Sequence, residues 1–334
     1  MTIRVIRPGL LTTVQDAGRY GYQKHGVIVS GAMDPVAHRA ANLLVGNCDA
    51  DATLEMTLIG PALEFTEDAL IAICGADLSP TIAGVPVPLW KPVWVKKGAV
   101  LESGGCRAGA RSYLAVAGGI QVPVVMNSRS TYLRAGIGGH EGRPLRAGDV
   151  LKAGPLPEQS ALMIRHLRSH AEEGAFVPAE WGIGPELLPA YDSSPVIRAM
   201  RGSQWDWFTE ASQEAFFSQA FRISPQSDRM GYRLEGPVLS LVSQTELISE
   251  AVSFGTVQVP AEGKPIVLLA DRQTTGGYPK IAQIASVDLP LIAQTKPGDV
   301  IRFVEISRAE AEALLLEREY SIRQARLGIQ FKLA

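Results

Sequence analysis

The sequence predicts a mainly β protein of two β-rich domains with a few short helices, on three observations. Its 334 residues exceed what one hydrophobic core usually spans, and a 46% hydrophobic content suffices for two. Gly (33) and Pro (22) punctuate short runs rich in Val, Ile and Leu, the pattern of strands joined by turns. No regular alternation of these runs with long helical patterns intervenes, so most strands should pair antiparallel.

The clearest strands are residues 69–74, 92–95, 111–116, 265–269 and 300–306. Three helices stand against them. Asp34 supplies an N-cap ahead of Pro35, and that segment runs to a stop at Gly46. A second spans 209–221, with Phe216, Phe217 and Phe221 on its apolar side. The third opens with Ser307-Arg308-Ala309-Glu310, a capping box in which serine and glutamate satisfy each other's backbone donors, and continues to about Ala325. A short cadence, Gly98-Ala99-Val100, Gly148-Asp149-Val150 and Gly298-Asp299-Val300, launches an apolar strand three times; it suggests related β-units, or a turn solution used repeatedly. Between 151 and 195 the texture turns proline-rich and polar. This places the domain boundary there, giving domains 1–190 and 191–334. His166 and His170, at i,i+4 in that stretch, lack an acidic or thiol partner at metal-site spacing and read as a solvated pair.

A net charge of −2 with 20% charged residues offers no footprint for a nucleic-acid backbone or an anionic membrane, so a small-molecule substrate or another protein is the expected partner. Cys48, Cys74 and Cys106 are too few and too widely spaced for a disulfide framework or a metal ligand set, and are expected to be reduced and mostly buried. No apolar leader-like region or membrane-length run appears, pointing to the cytoplasm. The P-loop, dinucleotide glycine pattern, zincin helix and nucleophile elbow are all missing.

Four polar, glycine-broken segments remain. In 12–19, Arg19 either pairs with Asp16 or clamps a carboxylate with its planar fork. Residues 127–132, Asn-Ser-Arg-Ser-Thr-Tyr, form a hydroxyl-rich turn that either holds an anion or caps a bend. In 224–234, Ser227, Asp228 and Arg229 offer a hydroxyl, an acid and a cation ahead of Gly231. The strand at 266–270 ends in Asp271-Arg272-Gln273-Thr274-Thr275, and Gly276-Gly277 then permit close backbone approach before Tyr278-Pro279. Upstream, Glu250 and Gln258 interrupt apolar runs, as a satisfied buried polar residue or a ligand contact would.

Several ordered motifs resemble one family: Thr12-Thr13-Val14-Gln15-Asp16, Ser30-Gly31-Ala32-Met33-Asp34, Leu114-Ala115-Val116-Ala117-Gly118-Gly119, Ser227-Asp228-Arg229-Met230-Gly231-Tyr232 and Gln273-Thr274-Thr275-Gly276-Gly277-Tyr278-Pro279. The chain is similar to the KipA or allophanate hydrolase subunit 2 family, the carboxyltransferase-like group that includes the C component of bacterial 5-oxoprolinase (PxpC). The resemblance implies a cyclophilin-like β-barrel in the C-terminal half and a KipI- or PxpB-like partner. It also implies a PxpA-like (LamB/YcsF-type) partner, and ATP used by the complex to activate and hydrolyse 5-oxo-L-proline to L-glutamate. Alternatives within the family are a KipI-antagonist binding protein and the carboxyltransferase half of a urea carboxylase-like system. No biotin-attachment motif is present in this chain. Under the first reading Asp271, Asp228 and Arg229 are the candidate catalytic residues. Arg19, Ser227, Glu250, Gln258, Gln273, Thr274, Thr275 and Tyr278 are the candidate substrate contacts.

Overall fold

The computed structural model describes residues 1–170, 174–243 and 246–333. The chain divides into two compact units. One is built from Met1–Arg19, Ser30–Leu188 and Tyr320–Ala334, the other from Tyr20–Val29 and Pro189–Glu319.

Side-chain alternation sets the layers of the first unit. In the strand Ala69–Asp77, Ala69, Ile71 and Ile73 join a core with Ile3, Val5, Leu63, Phe65 and Leu101, while Leu70, Ala72 and Cys74 join a second core with Ala37, Ala41 and Leu44 of the helix Pro35–Leu44. A strand buried on both faces needs no polar alternation, which is why this segment reads as an unbroken apolar run. It sits within a six-stranded sheet ordered Phe176–Pro178, Pro92–Val95, Ala69–Asp77, Ala108–Val116, Thr53–Thr57, Leu11–Gln15. The first core is shared with a seven-stranded sheet in which Thr2–Arg7 lies between Val150–Ala153 and Ala62–Phe65.

The second unit is a closed seven-stranded barrel, as the family resemblance implied. Its order is Val196–Arg201, Lys280–Ile284, Thr256–Gln258, Ile266–Leu268, Gly231–Glu235, Ala220–Ile223, Val300–Glu305. The closing pair, Val196–Arg201 with Val300–Glu305, is parallel, whereas the other barrel pairs are antiparallel. Closure leaves no exposed strand edge.

The helix capped by Asp34 forms as expected, with Oδ1 accepting from the amides of Val36 and Ala37 at 3.1 and 2.9 Å. The capping box is also present: Glu310 accepts from Ser307 N at 2.7 Å and Ser307 Oγ accepts from Glu310 N at 3.2 Å. Its helix, Arg308–Leu333, outruns the predicted end. Three expectations need correction. The helix expected over 209–221 stops at Ser218, and Phe221 lies on the strand Ala220–Ile223, where it meets Phe303 edge-on at 5.8 Å. The polar stretch at the expected boundary holds an unpredicted helix, Glu158–Ser169, which buries Ser160, Met163 and Leu167. Of the three thiols only Cys74 is buried; Cys48 is exposed and Cys106 intermediate. The repeated cadence is a repeated turn. Gly98, Gly148 and Gly298 all take positive φ (81°, 90° and 94°), and Asp149 and Asp299 accept from the amides three residues back. Among the described residues no helix is long and apolar enough to cross a membrane.

Candidate functional site

The predicted site residues fall into two polar constellations, one in each unit. In the barrel, a register shift between Val257 and Gln258 sets Val257 opposite Val267 and Ala282 and Gln258 opposite Lys280, so the glutamine and the lysine, both buried, lie side by side on adjacent strands. A two-residue pairing, Glu250–Ala251 with Thr275–Gly276, brings Glu250 to the same cluster. There Lys280 Nζ is hydrogen-bonded to Glu250 Oε1, to which Gln204 Nε2 also donates at 3.0 Å. Gln204 Oε1 in turn accepts from the Lys280 backbone amide at 3.2 Å, tying the strand to the cluster. The Lys280 ammonium, helped by Gln204, holds the Glu250 carboxyl below its ordinary value.

Gln258 is 4% exposed, and its Oε1 has no hydrogen-bond partner among the described residues. Beside it the backbone of Gly276 carries no side chain. A Cβ there would lie 3.0 Å from Gln258 Oε1 and 3.5 Å from Nε2 of Gln273, an exposed residue. Arg272, half-buried next in the loop, lies with its guanidinium carbon 5.8 Å from the Phe254 ring centroid. Its donors reach the carbonyls of Val252 (3.4 Å) and Leu269 (3.3 Å), and no carboxylate pairs with it among the described residues. Burial lowers the guanidinium from its ordinary pKa, as expected of a desolvated cation without an ion-pair partner.

Arg229 and Asp271 meet in a two-pronged ion pair, Nε to Oδ2 at 2.9 Å and Nη2 to Oδ1 at 3.0 Å, with both side chains 6% exposed. Their backbones are joined too, the Asp271 amide donating to the Arg229 carbonyl at 2.8 Å. Asp228, expected beside them in catalysis, is exposed and turns its Oδ1 onto the amides of Met230 and Gly231 at 2.8 and 3.3 Å. Ser227 Oγ accepts from the Arg233 amide at 3.1 Å. The Thr274 carbonyl accepts from Val252 N, and the Thr275 side chain is exposed. Tyr278 is 46% exposed on the wall of a groove of about 700 Å³ that it shares with Leu239, Leu241, Val259 and Pro260.

In the first unit Asp16 organises the hydroxyl-rich turn. Its carboxylate accepts from Gly18 N and Ser128 Oγ, each at 2.8 Å, and from Arg129 N and Ser130 Oγ. Arg19 is wholly buried and donates to the carbonyls of Val125 at 3.0 Å and Ser130 at 2.7 Å. Between those carbonyls, Met126 and Asn127 hold φ of 51° and 61°, a left-handed turn that costs energy in non-glycine residues and is braced here by the two buried charges.

Sequence reasoning passed over Lys280 and Gln204 and gave Arg272 no role. The available signal for Lys280 was a single cation opening the apolar strand Lys280-Ile281-Ala282 directly after Gly276-Gly277-Tyr278-Pro279. Gln204 carried no comparable signal.

Two β-rich units, one a closed barrel with a polar cluster around Lys280, define the class. The chain matches the carboxyltransferase domain, subdomain A and B, over residues 25–305, and belongs to that family. It is 42% identical over 310 residues to the C component of 5-oxoprolinase from Escherichia coli (strain K12), covering 92% of this chain and 93% of the relative. To the Haemophilus influenzae protein of the same name it is 38% identical over 314 residues, 94% of each. Among solved structures, the urea amidolyase of K. lactis superposes with a TM-score of 0.86 at 31% identity over 97% of this chain, which spans 20% of that much longer protein.

Proposed function

We propose that the chain acts as the C component of an ATP-dependent 5-oxoprolinase, opening 5-oxo-L-proline to L-glutamate together with KipI/PxpB-like and PxpA-like partners. One observation carries the reading: both bacterial relatives of that name align with this chain over more than nine-tenths of their own length and more than nine-tenths of this chain. An unstrained lactam is a poor electrophile. Phosphoryl transfer from ATP to its oxygen turns that oxygen into a leaving group.

Among the described residues the cations offered here are Lys280, already bonded to Glu250, and Arg272 on the loop that leads into Thr275–Gly276. Together they do not match the charge of a nucleotide triphosphate, so we assign the nucleotide to a partner protein. For this chain the chemistry is that of holding the lactam. Arg272, desolvated and without a carboxylate of its own, receives the substrate carboxylate. Lys280 has three N–H donors and spends one on Glu250, leaving donors for the oxygen on which charge develops. Glu250 and Gln204 fix where that ammonium sits.

The test is reconstitution. The chain co-purified with its two partners should consume 5-oxoproline and ATP and release glutamate. Lys280→Met should lower kcat/KM by about a hundredfold, the scale of losing one donor to a developing oxyanion. A reconstituted three-component complex with no ATP-dependent turnover of 5-oxoproline refutes the reading. The second reading, carboxyl transfer in a urea carboxylase-like system, is favoured by the superposition on urea amidolyase. It predicts urea-dependent loss of carboxyl groups from a carboxybiotinylated carrier protein.

A further inference from the structure

We propose that the helix Arg308–Leu333 pairs two-fold and antiparallel with the same helix of a second copy of this chain, through an apolar stripe of Leu316, Tyr320, Leu327 and Phe331. A helix that lays one side on a core normally turns a polar side to water. This one buries Ala311, Ile322 and Ile329 along one side, at 6–7% exposure. At 3.6 residues per turn the four stripe residues fall within an arc of about 60° on the opposite side. There Leu316, Tyr320 and Phe331 are 70%, 64% and 81% exposed, and Leu327 is 39% exposed. A second apolar stripe, continuous along a helix whose first is already buried, marks an association surface.

Spacing and charge both name the occupant. Leu316 and Tyr320 stand as far before the midpoint between Arg323 and Gln324 as Phe331 and Leu327 stand after it. A two-fold axis through that midpoint sets Leu316 against Phe331 of the second copy and Tyr320 against its Leu327, so every stripe residue finds an apolar partner. An isologous contact requires this self-complementarity; docking into an unrelated protein does not.

The charges run the same way. From Glu310 to Glu319 the helix holds four carboxylates and one arginine, whereas from Arg323 to Leu333 it holds three cations and no acid. Antiparallel copies lay the acidic half of each along the basic half of the other, while parallel copies would oppose like charges. The two stripes together present on the order of 1,000 Å² of apolar surface, the low end for a specific association, so the pairing is reversible rather than permanent.

The full chain, alone and co-purified with its KipI/PxpB-like partner, is followed by sedimentation over about 1–100 μM, a range in which the mass contributed by this chain should double. Tyr320→Glu with Phe331→Glu, both on the surface, should raise the dissociation constant about a hundredfold and leave Tm unchanged. The arrangement is read by disulfide formation in a Cys48→Ser, Cys106→Ser background, those being the thiols that are not buried. Gln324→Cys, beside the axis, should link to itself. Leu316→Cys, displaced from its own copy by about 22 Å along the helices, should not, but should link to Phe331→Cys when the two variants are mixed. Wild type that stays monomeric at about 100 μM overturns the proposal, as does a dimer indifferent to the double glutamate variant. Leu316→Cys that links to itself overturns the antiparallel arrangement. Stripe variants that release the KipI/PxpB-like partner, with the chain alone a monomer, make that protein the occupant and overturn the proposal too. The pairing does not rest on the proposed activity, so its failure leaves that reading in place.

Discussion

Replacing Asp271 by alanine takes a two-pronged carboxylate away from a buried guanidinium. Arg229 and Asp271 are each 6% exposed and joined by hydrogen bonds of 2.9 and 3.0 Å, so the variant leaves a buried cation facing an apolar methyl group. Breaking a buried pair from one side costs about 3–5 kcal/mol. In a domain on the order of 150 residues each kcal/mol moves Tm by about 3 °C, so the barrel should melt about 9–15 °C lower. Removing both charges, as in Asp271→Leu with Arg229→Met, takes away the buried cation together with its carboxylate and should restore most of that loss. The assay is thermal unfolding followed by circular dichroism and calorimetry on wild type, both single variants and the double. A single variant that melts within about 3 °C of wild type, or a double as unstable as Asp271→Ala, would refute the argument. The double variant also decides between scaffold and chemistry: activity retained alongside restored Tm makes the pair a support for the loop, while activity lost at normal Tm puts its charges to work on substrate.

Two further outcomes follow from the first unit. His38 is buried, its Nε2 donating to the Asp49 carbonyl at 3.1 Å and its Nδ1 accepting from Thr53 Oγ1 at 3.0 Å, and burial lowers its pKa below the ordinary 6.5. The unfolded chain then binds the proton first, so stability is complete above about pH 6.5 and declines as pH falls toward the folded-state value. Urea midpoints at about pH 7.5 and about pH 5.5 should separate for wild type and draw together for His38→Gln. Gly138→Ala would place a Cβ 2.1 Å from the Ser130 carbonyl and 2.6 Å from Arg19 Nη2, at φ of 69°, and should cost about 1–3 kcal/mol by chemical denaturation.

What could be seen in the sequence was local. Asp34, Ser307 with Glu310, and the three Gly turns act within three or four residues of themselves, so their geometry is written in adjacent letters. Phe221 was misplaced because its partner Phe303 is far along the chain, and an aromatic cluster can be supplied equally by helix and strand. The helix Glu158–Ser169 was missed because its apolar positions are sparse and its N-cap, Pro157, offers no side-chain bond. The site behaved likewise. The loop 271–277 announced itself by glycines and polar side chains, and Arg229 and Asp271, picked from separate segments, do meet. Lys280, Gln204 and Glu250 converge across 30 to 76 residues of chain, through the barrel strand that Lys280 opens, the loop that carries Gln204 and the short pairing of Glu250–Ala251 with Thr275–Gly276, none of which adjacent letters announce. Asp16 and the turn at 128–130, read as two motifs, are one structure for the same reason.

The strand Val300–Glu305 closes the barrel, and Ile322 and Ile329 complete the helix-side core of the first unit. Both units thus draw on the stretch beyond residue 299, and the polypeptide passes between them after residues 19, 29, 188 and 319. During translation this means that neither core is sealed until that stretch has left the ribosome, and apolar surface from both stays open to chaperones for most of synthesis. A stop codon inside the helix Arg308–Leu333 would cripple the N-terminal unit before the barrel, and dividing the gene near residue 190 would yield two fragments that each lack a piece held by the other.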